Sequence, residues 1–355
     1  MTANLPIVTG IGSVSPYGSL AGLIPPSLLE PSLEPSSTPW ATRGTRRAFL
    51  VDPFRPASMV TGLKTRRLDR LSAWALVAAS LAIQDAGIDL ATVDRYRVAV
   101  IFATGFGCVE LTESFYRSAA ENGWSGTDPI TFPETLTNAP AAHVALLHGL
   151  RGPNITVAGK SFAGESAMIQ AASLIRHGQA ELAIVLAGDT LTKPVYEWYE
   201  AANLLSPSCY NSDLLANATG FVRFVPSEGV AALVLEPAGS REAQSYAHLR
   251  SGRWAAGGQP AESIRQMLGG AVLNLIVCAG NGAPCAASPL ASLARRIAGP
   301  DAAIVPPQAV AAGLADTGAL LHLILALSGR PRSGQALLLA TSGETGFAAI
   351  HLELP

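Results

Sequence analysis

The stretch TVAGKSFAGESAMIQAASLIRHGQAELAIVLAGD, residues 156–189, decides how this chain is read. A short apolar strand over residues 155–158 runs into a tight small-residue turn centred on Ser161. A helix of about three turns follows and stops at Gly178, and a second apolar strand spans residues 180–187. A side chain on a sharp turn between a buried strand and a helix N-terminus is displayed outward, beside free backbone N–H groups and the positive end of the helix dipole. Ser161 therefore stands where a nucleophile would stand.

Working outward, the same grammar recurs. Upstream, residues 7–16 (IVTGIGSVSP) predict a strand entering a Gly/Ser turn, and residues 25–40 are too rich in Pro and Ser for regular structure. Residues 69–86 predict a helix, apolar on nearly every side and so central in the fold, and residues 97–104 a buried strand. Residues 110–120 and the later part of 132–150 predict further helices. Downstream, GVAALVLEP (229–237) and LNLIVCAGNG (273–282) predict strands, the second ending in a glycine turn as RVAVIFATGFG (97–107) does. The loop and helix AAGLADTGALLHLILALSG (311–329) and the strand GQALLLATSG (334–343) repeat the pattern of the opening stretch. Two copies of one βα unit set are expected, with the helix after Ser161 and the helix after Ala315 adjacent at the centre of a layered α/β domain.

Composition excludes several classes. The chain has 355 residues, 49% hydrophobic and 14% charged, with formal net charge -2. It is long enough for one large domain or two intimate halves, and its scattered Lys and Arg do not argue for a nucleic-acid partner. Cys108, Cys209, Cys278 and Cys285 form no CxxC pair and have no metal spacing, and no secretory leader precedes the first strand, so a cytoplasmic, reducing setting is the default. No apolar run reaches the length of a membrane span, and no metal or cofactor is expected. So little charge on so large a chain points to apolar surface covered by a partner subunit.

Several residues invite a chemical reading. Gly159-Lys160-Ser161-Phe162-Ala163 nearly matches the G-x-S-x-G nucleophile elbow in the right strand-turn-helix context. A serine hydroxyl, however, needs a base within hydrogen-bond reach. His143 and His322 fall within apolar helices and read as packed core histidines, and His177 suits a helix C-terminal cap. The letters GKS do not make a phosphate loop, because that motif requires glycine where Asn154 stands and Gly152 is too early. Asp189 and Glu228 each close or flank a strand and read as structural carboxylates.

The chain resembles the β-ketoacyl synthases of the thiolase fold along nearly its whole length. VTGIGSVSPYG (8–18) is similar to their opening strand, and PITFPETLTNAPAAHVALLHGLRGPNITVAG (129–159) to the segment leading to their active-site cysteine. AASLIRHGQAELAIVLAGD (171–189) and GFVRFVPSEGVAALVLEP (220–237) resemble the helix and strands that follow, with Glu228 at the family's glutamate. The resemblance implies two pseudo-repeated halves in an α-β-α-β-α layered α/β domain. One half spans residues 1–219, with loop 25–40 and helix 110–120 as insertions; the other, shortened between Pro237 and Leu273, spans 220–355.

Family chemistry implies a cysteine nucleophile, two histidines and a lysine. Ser161 stands at the cysteine position, Gly280 or Asn281 at the first histidine, Ala312 at the second, and Pro307 or Gln308 near the lysine. All four roles are vacant or altered. The chain thus resembles a chain-length factor, the non-catalytic subunit that pairs with an active β-ketoacyl synthase in type II polyketide or fatty-acid-like biosynthesis and meets acyl carrier protein through that complex. By the resemblance it would dimerise through the strand leading into Ser161 and project helix 110–120 toward the partner's growing acyl chain, with Leu111, Ser114, Phe115 and Ser118 facing the tunnel. A bulky side chain closing that tunnel would stop chain growth sterically; packing of Phe115 against its own helix is the competing reading. Two alternatives remain open: a Ser161-dependent acyltransferase or hydrolase acting on acyl-carrier thioesters, and a purely structural dimer scaffold.

Overall fold

The computed structural model describes residues 4–29, 33–41, 47–63, 66–159, 161–206, 224–279, 287–307, 309–314, 317–329, 333–342 and 346–355. Strand β1 (Pro6–Ser15) turns into β2 (Gly18–Ala21), and the described residues of the Pro/Ser-rich stretch hold a helical turn, α1 (Pro26–Leu29), and the first strand of a two-residue ladder, β3 (Ser36–Ser37) with β4 (Arg47–Ala48). There follow α2 (Arg70–Asp85), β5 (Val98–Thr104), α3 (Val109–Asn122), α4 (Ala139–His148), β6 (Asn154–Ala158) and α5 (Ala163–Arg176). Next come β7 (Leu182–Asp189), α6 (Lys193–Ala201), β8 (Gly229–Pro237) and β9 (Ala247–Ala256). The chain ends through α7 (Pro260–Leu268), β10 (Leu275–Cys278), α8 (Ala287–Ile297), β11 (Ala303–Val305), α9 (Ala309–Ala312), α10 (Ala319–Gly329), β12 (Gly334–Ser342) and β13 (Gly346–Leu354).

Ten of the described strands form two sets of five with one connectivity. In the order β6-β5-β7-β8-β1, β5 runs parallel to β6 and β7, and β8 antiparallel to β7 and β1. In the order β11-β10-β12-β13-β9, β10 runs parallel to β11 and β12, and β13 antiparallel to β12 and β9. The sets touch through the short β1–β9 ladder, Ile7 opposite His248 and Val8 opposite Ala247.

The alternation of strand side chains then builds the layers. Ala99, Ile101 and Ala103 of β5 face one way, into a cluster shared with Ala167, Met168 and Ala171 of α5 and Leu320, Leu323 and Ile324 of α10. Leu338 of β12 and Ile350 of β13 enter that cluster from the opposite sheet. Val98, Val100 and Phe102 face the other way, onto α2 and α4, while Leu337, Leu339 and Phe347 face Ile264 of α7 and Leu290 of α8. The result is α-β-α-β-α, with α5 and α10 in the middle. Those two helices meet at small residues: a Cβ on Gly164 would lie 3.0 Å from the Ala319 Cβ.

One expectation changes. The all-round apolar helix α2 lies in an outer layer, not the middle one. It is buried there because it sits on the backbone of β1, where a Cβ on Gly12 would come 2.2 Å from the Ala78 carbonyl, and because α4 and the segment carrying Val51, Val60 and Leu63 cover it. The ladder groups β8 with the other four strands of the first set, and the chain passes to the second set between Pro237 and Ala247.

Candidate functional site

Strand β6 ends the sheet and pairs with β5 in parallel register from Val100–Asn154 to Thr104–Ala158, which carries the Ser161 turn to the carboxyl end of the strands. The Gly159 N–H donates to the Thr104 carbonyl at 3.1 Å. Phe162 then takes a left-handed conformation, φ 58°, at the start of α5, and its side chain is buried in the central cluster. For a residue with a Cβ that conformation costs on the order of 1 kcal/mol, offset here by burial of the ring. The turn leaves Ser161 exposed, as expected. Its Oγ lies 3.1 Å from the Ser342 Oγ, at the end of β12 in the other half.

Both hydroxyls open onto a cavity of roughly 440 Å³. Its described wall offers the hydroxyls of Ser161, Ser166 and Ser342, the Gln170 amide, and apolar surface from Phe162 and Trp254. No described residue of that wall is a His, Cys, Lys, Arg, Asp or Glu.

The histidines are engaged at other places. His143 is 2.7 Å from Glu134, His148 is 3.2 Å from the Ser80 hydroxyl, and His177 caps α5 with its Nδ1 2.8 Å from the Ser173 carbonyl. His351 lies 2.7 Å from Gln335, His248 lies 3.8 Å from Glu353, and His322 is buried within α10. The histidine at 143, expected in the core, is thus half-buried and hydrogen-bonded to a carboxylate. Burial pushes the thiols of Cys108 and Cys278 up to about 12, which disfavours the thiolate, and neither lines the cavity at Ser161. Lys160, Gly280, Asn281, Gln308, Cys209 and Cys285 lie outside the described residues. Pro307 is buried and Ala312 closes α9.

Asp189 and Glu228 are structural, as their positions suggested. The Asp189 carboxylate accepts from the Thr104 hydroxyl at 2.6 Å, the Gly105 and Phe106 N–H groups at 2.9 Å each, and the Thr317 hydroxyl of the other half at 3.2 Å. Glu228 accepts from the Val51 and Leu191 N–H groups at 3.1 Å each and pairs with Arg70 at 3.3 Å. Burial raises its pKa, with the Arg70 guanidinium pulling the other way. Burial also pushes the Glu165 carboxyl, in the first turn of α5, up to about 7; nothing in the local pattern had marked it.

Helix α3 carries the residues expected to face a tunnel. Leu111, Phe115 and Ser118 share the side turned toward the body, whereas Ser114 is exposed. The Phe115 ring is buried 5.7 Å from Phe132, and the Ser118 hydroxyl donates to the Gly126 carbonyl at 3.2 Å. Beside them Tyr116, Trp124, Ile130, Phe132 and Leu136 are exposed large apolar side chains, a concentration that isolated surface residues do not produce.

Residues 19–240 match the family model of the β-ketoacyl synthase N-terminal domain, more than half of the chain. The chain belongs to the β-ketoacyl synthase family. It is 27% identical over 261 residues to 3-oxoacyl-[acyl-carrier-protein] synthase 2 of Vibrio harveyi, a match covering 70% of this chain and 62% of that relative. The fold is similar to that of the ishigamide ketosynthase/chain length factor, with TM-score 0.76, 22% identity, and 99% of each chain covered. It is also similar to the AntDE:AntF complex of a type II PKS acyl-carrier protein with its ketosynthase, with TM-score 0.79, 17% identity, 99% of this chain and 100% of that one. These likenesses bear out the thiolase-like ketosynthase fold. No described helix is long and apolar enough to cross a membrane, and no described cluster of His, Cys, Asp or Glu could hold a metal.

Proposed function

We propose that this chain is a non-catalytic, chain-length-factor-like subunit that pairs with an active β-ketoacyl synthase and shapes the acyl tunnel during condensation of malonyl-carrier protein. The observation that carries the reading is the wall around Ser161. The resemblance calls for a thiol, two imidazoles and an amine, and the described wall supplies hydroxyls, an amide and apolar surface. A serine hydroxyl takes up acyl groups at useful rates only with a base within hydrogen-bond reach, and none of the described wall residues is a histidine, lysine or carboxylate. Among the described strands β6 ends the sheet, which suits pairing with a strand of a second subunit, and the aromatic surface beside α3 suits burial against it. The solved ketosynthase complex with an acyl-carrier protein supports a carrier as the third component.

Leu111, Phe115 and Ser118, at helical spacing, form the proposed tunnel wall, with Ser114 at its exposed margin. Phe115, backed by Phe132, is the side chain that limits length. Each CH2 group excluded by such a wall forgoes about 0.8 kcal/mol of burial.

The test is co-purification with a catalytic synthase, followed by incubation with an acyl-carrier donor. A stable 1:1 complex, no acyl mass on Ser161, and condensation that survives Ser161→Ala are expected. A Ser161 acyl adduct that disappears in Ser161→Ala would replace this reading with the acyltransferase one. Product length unmoved by Phe115→Ala and by Leu111→Ala would leave only a scaffold.

A further inference from the structure

Helix α3 has a single buried residue, Phe115, among fourteen. So little apolar contact does not by itself fix a helix against the body, and the polar contacts at its first turn therefore decide where it lies. Its own N-cap residue, Cys108, gives the helix no side-chain cap, its thiol lying 3.9 Å from the Ser72 hydroxyl of α2 instead. The cap comes from another helix. Asp69, only 1% exposed, accepts at Oδ1 from the Leu71 N–H of α2 at 2.9 Å and at Oδ2 from the Leu111 N–H of α3 at 3.0 Å. One carboxylate thus satisfies orphan donors at two helix N-termini and faces the positive ends of both dipoles.

Arg70, the next residue, extends the joint. Its Nε lies 3.2 Å from Glu110 in the first turn of α3, while its other nitrogens donate to the Leu191 carbonyl at 2.9 Å and pair with buried Glu228 at 3.3 Å. Its guanidinium also lies 5.0 Å over the Trp74 ring of α2. The first turn of α3 is therefore tied to the start of the deeply packed helix α2 and, through Arg70, to buried Glu228.

We propose that Asp69 is the positioning residue of the length-setting helix: by capping α2 and α3 together, it fixes where the α3 wall stands in the tunnel. This rests on the reading of α3 as a tunnel wall. Asp69 touches no acyl chain and acts only through the Leu111 amide.

The experiment uses the reconstituted pair with Asp69→Ser and, as an isosteric second variant, Asp69→Asn. Serine remains a good cap for α2 but is too short to serve α3 as well, and asparagine has one acceptor oxygen for two donors. Both should leave α2 protected from hydrogen exchange while the Leu111 amide exchanges at least about tenfold faster. Both should also broaden the product-length distribution, at a rate of carrier-bound malonyl consumption within about twofold of wild type. Leu111 exchange unchanged in whichever variant folds would overturn the inference. Faster exchange with an unaltered product distribution, in a pair whose distribution does respond to Phe115→Ala, overturns the positioning role and leaves the proposed function standing. A distribution that responds to neither Asp69 nor Phe115 substitution removes the tunnel-wall reading and this inference together.

Discussion

Helix α2 buries twelve of its sixteen residues, whereas α3 buries one of fourteen, although both begin at the same carboxylate. α2 is held by apolar packing against β1, β7, β8 and α4, an attachment that is non-directional and spread over many side chains. α3 is held by a few directional contacts at one end and by a shallow aromatic cluster along its side. A helix placed in the second way can change its exposed face at little cost to the fold. The body of the molecule is therefore expected to be intolerant and the α3 face permissive, which suits a surface that sets a product property.

The largest effect should come from the seat of α2. Gly12→Val places its Cβ 2.2 Å from the Ala78 carbonyl and 2.5 Å from the Ala82 nitrogen, backbone atoms that cannot yield separately. A loss of about 4 kcal/mol or more, seen as insoluble expression, is expected. A soluble variant melting near the wild-type temperature would show that α2 is not seated on β1 as described.

Next is a paired comparison. Leu76→Ala, in the buried face of α2, should cost about 2–5 kcal/mol in denaturant unfolding. Phe115→Ala should cost about 1–2 kcal/mol, because its ring borders exposed Tyr116 and Phe132 and the space left can take in water. Equal costs would erase the contrast between the helices.

The smallest effect tests the α2–α4 contact through pH. His148 bonds Ser80 and burial lowers its pKa from the ordinary 6.5. The unfolded chain therefore takes up this proton first as pH falls. Stability is fully present above about pH 6.5 and declines below it, until the folded group protonates too. His148→Gln should flatten that acid limb and leave stability at pH 8 within about 0.5 kcal/mol. An unchanged acid limb would mean that His148 is hydrated in the native state.

How far the sequence could be read depended on the length and cleanness of each pattern. The strands at 97–104 and 180–187 and the helix at 69–86 were legible because each repeats its period over a full element; they appear as β5, β7 and α2 within one or two residues. β9, with Arg250 and Arg253 on an open face, α6, nine residues long, and α7 and α8 carry too short or too polar a pattern to stand out. At the site, Ser161 on its turn was legible from strand, turn and helix alone. Ser342 and Trp254 were not, because they come from the other half of the chain.

Local chemistry by itself therefore determined the elements and the exposed serine between them: alternation at two residues, apolar positions at helical spacing, glycine at the turns and Asp69 before an apolar run. Only the tertiary structure decided that Asp69 serves two helices, that α2 is an outer layer, that β8 belongs with the first set of strands, and which side chains surround Ser161. Those are facts of through-space contact between segments far apart in the chain, 181 positions for Ser161 and Ser342, and no local period encodes them.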